Sequence, residues 1–154
     1  MKKVVIIGCG FSGMAALSKL KRSGLRLDIS VIDKKRTFDF LPALPDCLGR
    51  GIHPEDLTFD IEKFAPGFIN EEVVSLDLEK KEAATVNRTL AYDYLLIASG
   101  SETNFYGNDQ IKKYALTLDS AADAGKIIAA LKQNVPPALT IPAKPSNDVI
   151  FRPF

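Results

Sequence analysis

Three glycines and one acid carry the clearest chemistry in this sequence. Gly8, Gly10 and Gly13 form the spacing G-x-G-x-x-G directly after the apolar run Val4-Val5-Ile6-Ile7, and Ile29-Ser30-Val31-Ile32-Asp33 follows about 20 residues after the last glycine. A buried strand that ends in such a turn opens a helix whose free N–H groups and positive dipole end suit a pyrophosphate. An acid closing the next strand accepts a ribose hydroxyl. Gly8 permits the turn, Gly10 lets the backbone approach the phosphates because no Cβ intervenes, and Gly13 lets the helix pack tightly on the strand. The spacing therefore predicts a dinucleotide site. A carboxylate at Asp33 repels a 2′-phosphate and favours FAD or NAD over NADP, although Lys34, Lys35 and Arg36 follow at once and weaken that exclusion. The competing reading is a βαβ unit whose glycines serve packing alone, and Asp33 at the tip of the second strand argues against it.

The elements that must position these residues are legible around them. Ala16, Leu17 and Leu20 repeat at helical spacing on the face that meets a sheet, Gly24 stops the helix, and Leu27, Ile29 and Val31 alternate as a strand does. From Lys34 to about His53 the pattern predicts a loop containing Phe38, Phe40, Leu41, Pro42, Leu44 and Pro45. Two readings of those apolar residues stay open: they line a cofactor's ring system, or they pack beneath the sheet. A short helix is expected over 54–64, with Pro54 pre-set for its first turn and Glu55 and Asp56 suited to its dipole. Short β segments follow at Phe68-Ile69, 73–77, 84–86 and 92–98, with a charged hairpin tip at 79–82. The run 94–98 is apolar throughout, as expected for a parallel strand buried on both faces, and it stops at Ser99-Gly100-Ser101. Ligands of open α/β sheets bind at such strand ends; a plain turn that needs Gly100 for its φ angle is the other reading. A helix is expected over 119–132, capped by Asp119 or Ser120, with Ala122, Ile127, Ile128 and Leu131 toward the core.

Composition bounds the function. The chain has 154 residues, one domain's worth, and a formal net charge of +1. Its basic residues form no aromatic-interleaved stripe, so no nucleic acid is expected as a partner. Cys9 and Cys47 have no metal-ligand spacing; no metal is expected, and a reducing, cytoplasmic setting fits. Neither a signal-peptide pattern nor an apolar run of membrane-spanning length is present. Asn87-Arg88-Thr89 matches a glycosylation sequon and, without a secretion signal, reads as coincidence. His53, the single histidine, lies in a loop beside a proline and reads as a surface residue. From Asn134 on periodicity disappears and Pro136, Pro137, Pro142, Pro145 and Pro153 predict an extended or disordered tail, so the expected division is 1–133, a partial nucleotide-binding domain, and 134–154, a proline-rich tail.

Residues 1 to about 133 resemble the N-terminal FAD-binding portion of the FAD-dependent pyridine nucleotide-disulfide oxidoreductase superfamily, in particular type II NADH dehydrogenases and sulfide:quinone oxidoreductases. Three stretches carry the resemblance: Gly8 to Gly13 with Val31-Ile32-Asp33-Lys34; Phe40-Leu41-Pro42-Ala43-Leu44-Pro45 with Gly51 and Pro54-Glu55-Asp56; and 72–77 together with 92–104, similar to the family's "YDYLVIATGSETN". The resemblance implies that Gly8, Gly10, Phe11, Ser12 and Gly13 hold the FAD pyrophosphate, Asp33 the adenosine ribose, and Lys34 the adenine end. It implies that Pro42 approaches the flavin, that the Val73 backbone meets adenine, and that Ser99, Gly100 and Ser101 pass beneath the cofactor. Phe38 and Phe40 are expected to pack rather than react.

The departures are as informative. The second G-x-G-x-x-G that opens the family's NAD(P)H domain has no counterpart here, nor do the later segments that complete the FAD domain and reach quinone and membrane. Cys9 reads as a small residue chosen for fit, Cys47 is open as a reactive thiol near flavin, and Ala43 stands near the cysteine of related coenzyme A disulfide reductases, against that chemistry.

The fold expected is α/β: an incomplete Rossmann-like three-layer FAD/NAD(P)-binding domain. Its parallel sheet has the helix after Gly13 and the 119–132 helix on one side and a small β meander, roughly 68–91, on the other. The function implied is the FAD-binding part of a flavin-dependent oxidoreductase passing electrons from NAD(P)H or sulfide to quinone or a similar acceptor, the parent a candidate for peripheral attachment to a membrane's inner face. No side chain is nominated as catalytic acid, base or nucleophile. The alternative is a stand-alone nucleotide-binding module or inactive remnant without turnover, as a homo-oligomer or with a partner chain completing the domain. An ordinary NAD-dependent dehydrogenase is disfavoured by the meander and by 99–104.

Overall fold

A computed structural model describes residues 1–133, so the predicted proline-rich tail, 134–154, lies outside the described residues. In chain order the elements are β1 (Lys2–Ile7), α1 (Phe11–Lys21), β2 (Leu27–Ile32), β3 (Thr37–Asp39), α2 (Leu44–Gly49), β4 (Thr58–Asp60), β5 (Val73–Asp77), β6 (Glu82–Thr85), β7 (Thr89–Ala91), β8 (Tyr94–Ile97), α3 (Asp109–Tyr114) and α4 (Ala121–Lys132). Single 3-10 turns occupy Leu41–Ala43, Pro54–Leu57 and Ile61–Lys63.

Three parallel strands in the order β2-β1-β8 form the central sheet, with Val4 opposite Ile29 and Tyr94 and Ile7 opposite Ile32 and Ile97. One face carries Val4, Ile6 and Val31, which pack with Leu17 of α1 and with Ile61 and Ala65. The opposite face carries Val5 and Ile32, covered by Ala83 and Tyr92 from the antiparallel meander β5-β6-β7 and its exit. Strict alternation along β1 thus feeds two cores at once, which is how a strand buried on both faces reads as a continuous apolar run. The three layers are those expected for a Rossmann-like domain.

Four local expectations are corrected. Residues 54–64 do not form one helix: Thr58-Phe59-Asp60 pairs antiparallel with Thr37-Phe38-Asp39, and the helical tendency survives only as 3-10 turns on either side, the second capped by the Asp60 side chain accepting from the Glu62 N–H at 3.1 Å. The predicted loop 34–53 contains β3 and α2. The strand at Phe68-Ile69 reduces to a single parallel bridge from Ile69 to Ile32. Finally, β8 is not buried on both faces. It pairs only with β1 among the described residues, leaving Tyr94 61% and Ile97 58% exposed.

The helix α4 is displaced from its expected place. Its N-cap is Ser120, whose Oγ accepts from the Asp123 N–H at 3.1 Å. Ala124 packs against Leu44 and Cys47 of α2, with Ala121 and Ile128 alongside. The buried stripe is centred on Ala124 rather than Ala122, and Leu131 is exposed. This second small core sits with α2 and the Pro54–Leu57 turn, not against the sheet beside α1. The helix α3, capped by the Asn108 side chain, was not anticipated.

Candidate functional site

The turn after β1 has the geometry that its glycines require. Gly8 has φ +96°, a Cβ there would lie 2.1 Å from the Ala98 carbonyl oxygen, and its N–H donates to Ile32 O at 2.8 Å. Gly8 therefore locks the ends of all three parallel strands together. At Gly13 a Cβ would lie 2.0 Å from the Gly8 carbonyl oxygen, so the first turn of α1 rests directly on the strand exit. Gly10 differs from both. It takes an extended conformation as N-cap of α1, and a Cβ built there meets nothing within 4 Å. Packing does not explain this glycine, and the space beside it is open.

The start of α1 is uncapped. No side chain caps it, and its first turn holds no acid, so its leading N–H groups have no protein partner of the kind that Ser120 and Asn108 supply to α4 and α3. Such groups, with the positive end of the helix dipole, fit a phosphate. A cleft of about 200 Å³ adjoins the turn at the carboxyl ends of the sheet, lined by Ile7, Gly8, Ile32, Asp33, Lys34, Glu71, Glu72, Val73 and Ser99. The structure thus brings Gly8, Asp33, Lys34, Val73 and Ser99 around one cavity, with Gly10, Phe11, Ser12 and Gly13 next along the chain from Gly8. Gly100, at φ +78°, and Ser101 continue the turn from Ser99 and are exposed. Pro42 is not in the cleft; it lies exposed in the Leu41–Ala43 turn.

Asp33 is held rather than free. One carboxylate oxygen accepts from the Cys9 N–H at 2.7 Å and the other from the Lys35 N–H at 2.8 Å, which fixes the group at the cleft wall. A carboxylate can accept further bonds at each oxygen, so a ribose hydroxyl can still be bound there. Lys34 lies 3.8 Å from Glu72, an exposed pair that contributes little.

Sequence reasoning missed Glu71. Its carboxylate accepts from the Thr85 hydroxyl at 2.5 Å and pairs with Arg88 at 2.7 Å, tying the cleft wall to the meander. The Thr85 hydrogen bond, with Arg88 behind it, holds the Glu71 carboxyl below its ordinary range. The pairing joins residues 14 and 17 positions away, and no local pattern signals it.

Neither cysteine is poised for reaction. Cys9 is buried with its sulfur 3.2 Å from that of Met14, and burial, with the neighbouring Asp33 charge, pushes its thiol up to about 11. Cys47 is buried in the α2–α4 core and is likewise raised by desolvation. Cys9 is thus the small residue chosen for fit, and Cys47 is a packing residue. His53 is exposed.

Comparison with known proteins agrees with this geometry. The family described as pyridine nucleotide-disulphide oxidoreductase matches residues 2–141. The chain is 30% identical over 132 residues to a type II NADH:quinone oxidoreductase of Staphylococcus haemolyticus, a match covering 82% of this chain and 33% of the relative. It is 30% identical over 145 residues to a sulfide-quinone reductase of Aquifex aeolicus, covering 90% and 34%. Among solved structures, the A. aeolicus sulfide:quinone oxidoreductase superposes with a TM-score of 0.73 over 87% of this chain and 33% of that one. The NDH2 of Plasmodium falciparum in complex with NADH does so with 0.72 at 25% identity, over 88% and 30%. The chain spans about a third of the length of the relatives it matches. With a glycine turn, an acid-walled cleft and a family match over nearly its whole length, the chain belongs to the pyridine nucleotide-disulphide oxidoreductase family.

Proposed function

We propose that this chain is the FAD-binding portion of an oxidoreductase that passes electrons from NAD(P)H or sulfide to a quinone or similar acceptor. The observation that carries the reading is the contrast among the three glycines: two are forced by backbone contacts, and the third stands beside open space at an uncapped helix start. Pyrophosphate would bind the leading N–H groups of α1, with Gly10 allowing its approach. The adenosine would occupy the cleft, its ribose on Asp33 and its base along the Val73 backbone, and Ser99, Gly100 and Ser101 would run beneath the cofactor. When bound, the flavin supplies the electron-transfer chemistry, and the protein supplies placement and electrostatics. The named activities of the relatives suggest NADH and sulfide as donors and quinone as acceptor.

A second reading, a module that binds nucleotide without turnover, draws support from the absence of any poised thiol among the described residues. Calorimetric titration with FAD and with FMN tests the site itself. FAD should bind and FMN, which lacks the adenosine monophosphate half, should not; equal binding of the two would overturn the assignment of the cleft to adenosine. Turnover of the FAD-loaded chain with NADH or sulfide and a soluble quinone then separates the two readings.

A further inference from the structure

The phosphate turn needs backbone N–H groups and small residues, yet its first helical position carries a phenylalanine. Phe11 is 44% exposed. It meets Phe38 edge-on at a centroid distance of 4.9 Å and 75°, and Phe40 at 5.5 Å and 59°. The segment that these rings belong to is anchored on its other side. Asp39 accepts from the Thr58 hydroxyl at 2.8 Å and from the Ala121 N–H at 3.1 Å, at the start of α4, and the Phe40 N–H donates to Leu57 O at 2.8 Å. Immediately after Phe40 come the exposed Leu41 and Pro42. Phe11 therefore joins the start of α1 to a segment otherwise held by β4 and α4.

None of Phe11, Phe38, Phe40 or Pro42 lines the cleft that holds Asp33. A dinucleotide with its adenosine in that cleft and its pyrophosphate on the α1 amides must send its other half away from the cleft, past the first residue of the helix. What stands beside that residue is aromatic and apolar, the chemistry that accommodates a flat ring. We infer that Phe11 is a positioning residue for that second half: its ring, clasped by Phe38 and Phe40, sets the Phe40–Pro42 segment against the phosphate turn.

This rests on the FAD reading, and its test separates the two. ADP and FAD are titrated calorimetrically into the native chain and into Phe11→Leu, Phe40→Leu and Phe11→Tyr variants, and the fluorescence and visible circular dichroism of bound FAD are recorded. Both leucine variants keep the backbone N–H groups and the cleft. Phe40→Leu, which leaves the phosphate turn untouched, should hold ADP within about twofold of native while losing about tenfold in FAD affinity, with a changed flavin dichroism; Phe11→Leu should show the same FAD loss and dichroism, and Phe11→Tyr should retain the native values of both. A parallel loss of ADP and FAD affinity, or no change in either, would overturn the positioning role while leaving the site assignment intact. A native chain that binds neither ligand would overturn both.

Discussion

Replacing each of the three glycines in turn with alanine should separate folding from binding. At Gly13 an added Cβ would sit 2.0 Å from the Gly8 carbonyl oxygen, and at Gly8 it would sit 2.1 Å from Ala98 O with φ at +96°. Neither clash involves a flexible side chain, so the backbone must move by more than 1 Å, at a cost of about 3 kcal/mol or more. At Gly10 the Cβ meets nothing within 4 Å and the residue is extended, φ −73° and ψ −166°. The reduced freedom of the unfolded chain stabilises an alanine there by about 0.4–1 kcal/mol, and the poorer N-cap costs a comparable amount, so stability should be nearly unchanged. At about 3 °C per kcal/mol for a chain of this size, Gly8→Ala and Gly13→Ala should lower Tm by roughly 10 °C and Gly10→Ala by less than about 3 °C. Binding should invert that order for Gly10. Its methyl would stand where phosphate oxygens approach the helix start, and losing two charge-assisted hydrogen bonds at about 1.5 kcal/mol each weakens ADP or FAD by roughly a hundredfold. Circular dichroism melts and calorimetry on the same samples check both halves. A Gly10→Ala variant that binds ADP as tightly as native, or that melts with Gly13→Ala, would refute the reasoning.

Acidification should loosen the meander. The folded-state pKa of Glu71 lies below its ordinary 4.5, so the stability it contributes is present above that value and lost as pH falls through the lower folded value; Glu71→Gln should flatten the acid limb of a Tm-against-pH curve, and an unaltered limb would contradict the role given to Thr85 and Arg88. Cys9 and Cys47, buried and raised, should resist iodoacetamide at pH 8 until the chain is unfolded, as mass spectrometry of native and urea-treated samples will show; rapid labelling of the native chain would count against their placement. The outer edge of β8, with Tyr94 and Ile97 exposed, should drive concentration-dependent association that Ile97→Lys relieves, measured by light scattering; a native chain that stays monomeric at high concentration would show the edge to be inert.

What the sequence made legible is what local period controls. The alternation of β1 and β2, the helical repeat of Leu17 and Leu20 and the turn glycines between them depend on neighbours within a few positions, and the structure places them as read. The long-range pairings were not legible. Thr58-Phe59-Asp60 carries acidic and aromatic residues that suit a helix as well as a strand, and only its partner Thr37-Phe38-Asp39 decides the matter. The apolar run 94–97 looks the same whether one sheet edge or two are covered, so its exposure had no signature. The site divides likewise: glycines and Asp33 announce themselves, whereas Glu71 enters the cleft only because the meander folds over the sheet and brings Thr85 and Arg88 to it. Pro42, which the resemblance sets against the flavin, stands outside this cleft, as do Phe38 and Phe40.

An uncapped helix start and an acid-walled cleft should together make a working FAD site within this chain. The most direct measurement is the visible absorbance of the purified protein after incubation with excess FAD and removal of free ligand by gel filtration, with Gly10→Val treated in parallel. Oxidised-flavin bands that travel with the native chain and are absent from an equally folded Gly10→Val variant are the predicted result. A native chain that emerges without flavin, or a Gly10→Val variant that retains it, would contradict the account.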